Sequence, residues 1–301
     1  MSKVKSFSVS NGDMFYIEHN SDSFSVIDCN LISNRKDEII EEINKIRKSK
    51  TIFRFISTHP DEDHIKGLEV IQNKIGIQNF YCVENKATKQ NDSDSFKCYC
   101  TLRDNKNGVT CYLEKGLSRC YLNKEGMDNK NKKIYSSGIS ILWPDVKNNE
   151  FIAALNDAKD GKECNNISPI IKYSVEDGHS FLWMGDLESS FMSKIKNELI
   201  NALSQADIVF APHHGRQTGR IPDDILAHIS PKLIVVGEAN SDELDYYSKY
   251  NHINQNSLGD ILFVSSSDGV DIFATNFQEY NFLSYLNKSD AGDLKYIGTL
   301  I

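Results

Sequence analysis

Apolar residues in this chain come in short runs, and the spacing between the runs changes along its length. Near the start, Phe15–Ile17 and Phe24–Asp28 flank the polar turn His19–Ser23, which predicts two antiparallel strands. From Lys36 to Lys48, Ile39, Ile40, Ile43 and Ile46 recur at helical spacing between charges, so an amphipathic helix follows. A strand is expected over Thr51–Ile56, and Ile65, Leu68, Val70, Ile71 and Ile75 then resume a helical period. Later runs are Ile139–Trp143, stopped by Pro144, a short helix over Phe151–Ala158, and a hairpin of Ser168–Tyr173 with Ser180–Met184. After these come a helix over Ser189–Leu203, a strand Ile208–Ala211, and a helix Asp223–Ile229. The last elements expected are a strand Leu233–Val236, a helix near Asp242–Tyr250, and terminal strands Ile261–Val264 and Val270–Ala274. Hairpins first and strand–helix alternation later predict an α/β protein with mixed sheets. No period of 20 to 50 residues recurs, which argues against a repeat protein.

The 301 residues can bury a core without disulfides and read as a single domain over 1–301. Residues 86–133 stand apart as a polar, basic insertion, with eleven Lys and Arg against six Asp and Glu. The whole chain is acidic, with a formal charge of -8, which disfavours wholesale binding to nucleic acid or an anionic membrane. No run approaches the roughly 18 apolar residues of a membrane span, and no apolar stretch follows the N-terminus to suggest export. The expected location is cytoplasmic, with the seven cysteines reduced and no membrane association. Cys98, Cys100, Cys111 and Cys120 cluster, but with a Cys-x-Cys and no Cys-x-x-Cys pair, so a zinc knot is the lesser reading.

Three polar clusters follow expected strands: His59-x-Asp61-x-Asp63-His64, Gly185-Asp186 and His213-His214-Gly215. Loops at strand ends are where α/β proteins assemble their sites, because rigid strands aim several loops at one point. In the first cluster, His59 and Asp61 point the same way from an extended segment, while Asp63 and His64 open the following helix. The four can therefore face two cations, bridged by a further carboxylate for which Asp186 is the candidate. Helix capping by Asp61 or Asp63 is the simpler alternative for either residue alone. Adjacent histidines at 213 and 214 cannot both enter a core, so at least one is expected to be functional. Trp143, Trp183 and Tyr246, Tyr247 and Tyr250 read as packing residues.

The run Thr58–Gly67 (THPDEDHIKG), Asn165–Ser168 with its hairpin into Trp183–Asp186, and Ala211–Gly215 (APHHG) resemble the metallo-β-lactamase-fold hydrolases. The closer resemblance is to the subgroup containing the hydrolase domain of the competence protein ComEC, in which an Asp replaces the second His of His-x-His-x-Asp-His, as Asp61 does here. Asn11-Gly-Asp13 and the strand ending in Asp28 are similar to that subgroup too. The resemblance implies a four-layered αββα sandwich with two mixed β-sheets and a site at one edge between the sheets. It makes His59, Asp61, Asp63 and His64 metal ligands, Asp186 the bridging carboxylate, and one of His213 and His214 a further ligand. We assign His213 to the metal and His214 to catalysis with Asp63, the order of the two histidines staying open. The chain departs from the pattern at Ser168, where a histidine ligand is expected, and in lacking a late Gly-His-Pro segment. His252 is the alternative donor there.

The function implied is hydrolysis by a hydroxide bound to two divalent metal ions, Zn2+ by default and Mn2+ or Fe given three carboxylates. The expected substrate is a phosphodiester of a nucleic acid or nucleotide, an anionic partner that Lys66 and Arg216 would contact. The alternatives are hydrolysis of a carboxylic ester, lactone or amide, and a binding module that keeps the fold without turnover. Nothing calls for an obligate protein partner.

Overall fold

The first hairpin forms as its alternation requires: Phe15–Glu18 pairs antiparallel with Ser23–Ile27, placing Phe15 and Ile17 on one face and Tyr16, Phe24 and Val26 on the other. The computed structural model describes residues 1–301 except 33, 106, 107, 109, 128–130, 132, 177 and 240–245. Around the hairpin grows a nine-stranded sheet, in the order Lys295–Leu300, Gly269–Ala274, Ile261–Ser266, Ser2–Ser6, Phe15–Glu18, Ser23–Ile27, Ile52–Ile56, Asn79–Cys82, Thr110–Tyr112. Its first six strands are antiparallel, and pairing turns parallel from Ser23–Ile27 onward. A six-stranded sheet repeats this plan in the order Ile139–Trp143, Ile170–Ser174, Ser180–Trp183, Ile208–Phe210, Leu233–Val236, His252–Asn254. Here the switch to parallel pairing falls at Ser180–Trp183.

The sheets pack face to face, with Phe15, Ile17, Ile27 and Ile56 meeting Ile141, Phe181, Trp183 and Phe210 in one core. Trp183 stacks on Phe210 with ring centroids 4.9 Å apart and meets Phe15 edge-on at 6.0 Å, so the aromatic contact lies beneath the strand ends that carry the polar clusters. Helices cover the outer faces. Lys36–Lys48 turns Ile39, Ile40 and Ile43 onto the larger sheet, with Asp37 and Glu38 in its first turn and Lys45, Arg47 and Lys48 in its last, as the helix dipole favours. Leu68–Lys74 and Asp94–Arg103 join it there, while Phe151, Phe191, Leu199 and Ile225 attach the remaining helices to the smaller sheet. The result is an α/β fold of four layers, helix, sheet, sheet, helix.

Several elements differ from expectation. The helix expected over Ser189–Leu203 is two, Ser189–Lys194 and Lys196–Ala202, because Ile195 leaves the helical region at φ -100°, ψ 22°. Of the helix expected near Asp242–Tyr250, positions 240–245 lie outside the described residues and 246–249 form turns. Tyr247 is nonetheless buried, its hydroxyl accepting from the Ile221 N–H at 3.1 Å. Residues 86–133 are partly built into the sheet: Thr110–Tyr112 is its last strand, and Phe96, Tyr99 and Leu102 enter the outer core. Among the described residues no helix is long and apolar enough to cross a membrane.

Candidate metal centre

The polar clusters lie at the carboxyl ends of strands that begin the parallel part of each sheet, and the carboxyl ends of parallel strands are where α/β folds gather loops into sites. Ile52–Ile56 runs into Ser57, Thr58 and His59; the Asp61 carbonyl then accepts from the His64 and Ile65 N–H groups at 2.9 and 3.1 Å, opening the helix Glu62–Ile65. Ser180–Trp183 runs through Gly185 to Asp186, and Ile208–Phe210 runs to His213 and His214. Asp28, His213 and His214 all hold positive φ, at 53°, 52° and 58°. For side chains this backbone costs about 1 kcal/mol or more each, so the surrounding structure over-determines it.

Two histidines are held in the same way. Asp28 is fully buried and accepts from the Thr58 N–H at 2.7 Å, the Thr58 hydroxyl at 2.6 Å and His64 Nδ1 at 3.0 Å. Asp13 lies 3.1 Å from His214 Nδ1. Each carboxylate fixes its ring so that Nε2 points at Asp186, at 3.1 Å for His64 and 3.6 Å for His214. Asp13 is kept close by Gly12: a Cβ there would lie 2.5 Å from the Asp63 carbonyl, which accepts from the Asp13 N–H at 3.2 Å. His59 Nδ1 meets the Thr58 and Ser168 hydroxyls at 3.1 and 3.2 Å, which turns its Nε2 inward as well.

Nε2 of His59, His64 and His214 and Oδ1 of Asp186 are all buried and make no hydrogen bond of good geometry, although His64 Nε2 and Asp186 Oδ1 face each other at 3.1 Å as an ion pair. Buried polar atoms are almost always hydrogen-bonded, and three imidazole nitrogens converging on a single carboxylate without such a bond are what a cation would satisfy. One donor atom each from Asp13, His64, Asp186 and His214 lie within 4.8 Å of one another, the only such His, Cys, Asp and Glu group among the described residues. Imidazole and carboxylate donors suit a divalent transition metal. Cys98, Cys100, Cys111 and Cys120 form no such donor group among the described residues.

Burial disfavours charge on His64 and His214, but Asp186 and Asp28 outweigh it for His64, and Asp13 and Asp186 for His214. His64 is raised well above the usual imidazole range and His214 to about 10. Burial likewise opposes charge on Asp186, and His64, His214 and His59 nevertheless hold it well below the carboxylate range. Without a cation both rings keep their protons at neutral pH, and the stability that His214 adds is present at low pH and lost as pH rises through about 10. A cation must displace those protons. Its affinity is therefore expected to rise from pH 6 to 9 by about tenfold per unit for each proton released, with that release read by titration calorimetry in buffers of different ionisation enthalpy. Affinity independent of pH would contradict the assignment of the rings as donors.

The residues expected from sequence fall into two groups. His59, His64, Asp186 and His214 converge, and Asp63 Oδ2 stands 3.4 Å from His214 Nε2. His213 sits at the rim: its Nδ1 meets the Thr218 hydroxyl at 2.9 Å, its Nε2 accepts from Arg216 at 3.2 Å, and Asp186 is 3.8 Å away. Asp61 is 3.5 Å from His59 Nε2 on one side and accepts from Lys89 Nζ at 3.0 Å on the other. Arg216 also donates to Asn11 Oδ1, and Lys66 is exposed two residues beyond His64. His252 is bound to the Tyr250 carbonyl on the last strand of the smaller sheet, outside the donor group. Sequence reasoning noticed Asp13 and Asp28 but gave neither a role, and it passed over Lys89.

The fold is α/β with two mixed sheets, and solved structures align with it. A HARLDQ-motif mutant of a metallo-β-lactamase from Cronobacter sakazakii aligns at 12% identity over 75% of this chain and 89% of that one, with a TM-score of 0.40. A long-form RNase Z from yeast aligns at 9% identity over 79% of this chain and 37% of that one, with a TM-score of 0.39. ETHE1 from Myxococcus xanthus aligns at 13% identity over 65% and 66%, with a TM-score of 0.34. No protein family and no curated protein matches the chain.

Proposed function

We propose that the protein is a metal-dependent hydrolase of phosphodiesters in a nucleic acid or nucleotide. The supporting observation is the convergence of buried His59, His64 and His214 Nε2 on the Asp186 carboxylate at the strand ends, without hydrogen bonds of good geometry. Zinc is the cation we infer for His64, His214 and Asp186, with Asp13 holding His214 from its Nδ1 side and manganese or iron as the alternatives that the carboxylate admits. Such a cation lowers the pKa of a coordinated water and takes up negative charge on a substrate oxygen.

The chain's own groups supply the rest. Asp63, which burial raises but His214 and His64 hold below the usual carboxylate range in the metal-free protein, has its Oδ2 3.4 Å from His214 Nε2 and is the group placed to accept a proton from the attacking water. His214 is a ligand in this reading, and His213 is the positioning residue, the reverse of the order assigned from sequence. Burial pushes His213 down, and its neutral Nε2 steadies the Arg216 guanidinium. Arg216, Asn11, Ser10, Glu238 and Asn256 line a cavity of about 300 Å³, where the guanidinium can meet a phosphate oxygen. Lys66 adds positive charge on the exposed side.

A bis-aryl phosphodiester and a lactone, assayed side by side with the zinc-loaded protein, test the substrate class. We expect turnover of the phosphodiester. Turnover of the lactone alone would assign acyl chemistry to the same centre, and turnover of neither would leave a binding module.

A further inference from the structure

We infer that the centre holds one divalent cation and that the Lys89 ammonium takes the place of a second. This rests on the metal-centre reading above. A second cation would have to draw on His59, Asp61 and the residue at 168. Ser168 is a neutral hydroxyl already engaged: it accepts from the Asp186 N–H at 3.2 Å and meets His59 Nδ1 at 3.2 Å. Gly185 leaves the space it needs, since a Cβ there would come within 2.6 Å of Ser168 Oγ. Ser168 therefore orients the two donors on either side of it, which removes one ligand from that position.

Asp61 is taken as well. Its Oδ1 accepts from Lys89 Nζ at 3.0 Å, leaving Oδ2 toward His59 Nε2 at 3.5 Å. Lys89 is fixed rather than loosely placed. The Thr88 N–H and hydroxyl donate to the Ala158 and Lys159 carbonyls at 3.1 and 2.9 Å, and the ammonium lies 5.5 Å from the centroid of the Phe96 ring. Its side chain is 23% exposed, so water screens the pair only in part. A dication between His59 and Asp61 would stand beside this ammonium and be repelled by it. Lys89 thus neutralises the carboxylate that a second metal would otherwise use.

Bound metal is the measurement, because it does not depend on turnover. The full chain is stripped with chelator, equilibrated with zinc in about tenfold excess, desalted and assayed by atomic emission. The wild type and Lys89→Arg are expected to hold one equivalent, and Lys89→Met two, the second at least about tenfold weaker by calorimetry. Lys89→Gln is measured alongside Lys89→Met so that the count does not depend on the folding of one variant. Two equivalents in the wild type overturn the inference while leaving the metal centre intact, and one equivalent in all four proteins overturns it too. No bound zinc in the wild type overturns the metal centre itself, and the inference with it.

Discussion

Replacing Asp186 with alanine is expected to remove the cation and the hydrolysis together. Among the described residues Asp186 is the one carboxylate within 4.0 Å of Nε2 of all four of His59, His64, His213 and His214, whereas Asp61 reaches only His59 and Asp63 only His214. If four donors share the ~12 kcal/mol typical of a zinc site, one of them contributes ~3 kcal/mol, or about two hundredfold in affinity. Turnover should fall further, because the water and the substrate oxygen lose their placement along with the cation. A second consequence appears in chelator-stripped protein. His64 loses its larger supporting anion and His214 one of two, so the pKa of each should fall, His64 keeping only Asp28 and His214 keeping Asp13, as NMR titration would show. A variant that keeps its zinc and its activity would place the centre elsewhere.

Asp28→Ala is the next largest effect, and it acts without Asp28 facing the cation. The carboxylate accepts three hydrogen bonds in a fully buried position, and removing it strands the Thr58 N–H, the Thr58 hydroxyl and His64 Nδ1. Leaving buried partners unpaired in this way costs about 3–5 kcal/mol of stability, read from denaturant midpoints. The His64 ring is also released to turn, which should weaken zinc about 10- to 100-fold. Asp28→Asn is the informative companion. It keeps the shape and the acceptor oxygen but not the charge, so stability should recover more than zinc affinity does. Equal recovery of both would mean that Asp28 has only a packing role.

What the sequence disclosed follows from what is local. The helix Lys36–Lys48 was legible because Ile39, Ile40 and Ile43 are spaced to cover one face, and the hairpin Phe15–Ile27 because its alternation is clean. Ser2–Ser6 was missed: Lys3 and Lys5 make it look like a solvated tail. In the fold it is a central strand whose Lys5 is buried against Glu42 at 2.7 Å and Asp260 at 3.3 Å, partners far away along the chain. Lys295–Leu300 is missed for the same kind of reason, since it gains its place only by pairing with Gly269–Ala274.

The site divides likewise. His59, Asp61, Asp63 and His64 stand out because they crowd a single turn. Asp13 acts through His214, 201 residues later, and no local pattern reports that contact. The order of His213 and His214 is set by successive positive φ angles, which send one ring inward and the other to Arg216. Residue types alone do not carry that information.

Crystals grown with zinc and measured at the zinc absorption edge locate the cation. An anomalous peak is expected at about 2.0–2.2 Å from Nε2 of His64 and of His214 and from a carboxylate oxygen of Asp186. A peak at Cys98 and Cys100 alone, or no peak at these histidines with zinc in excess, would contradict it.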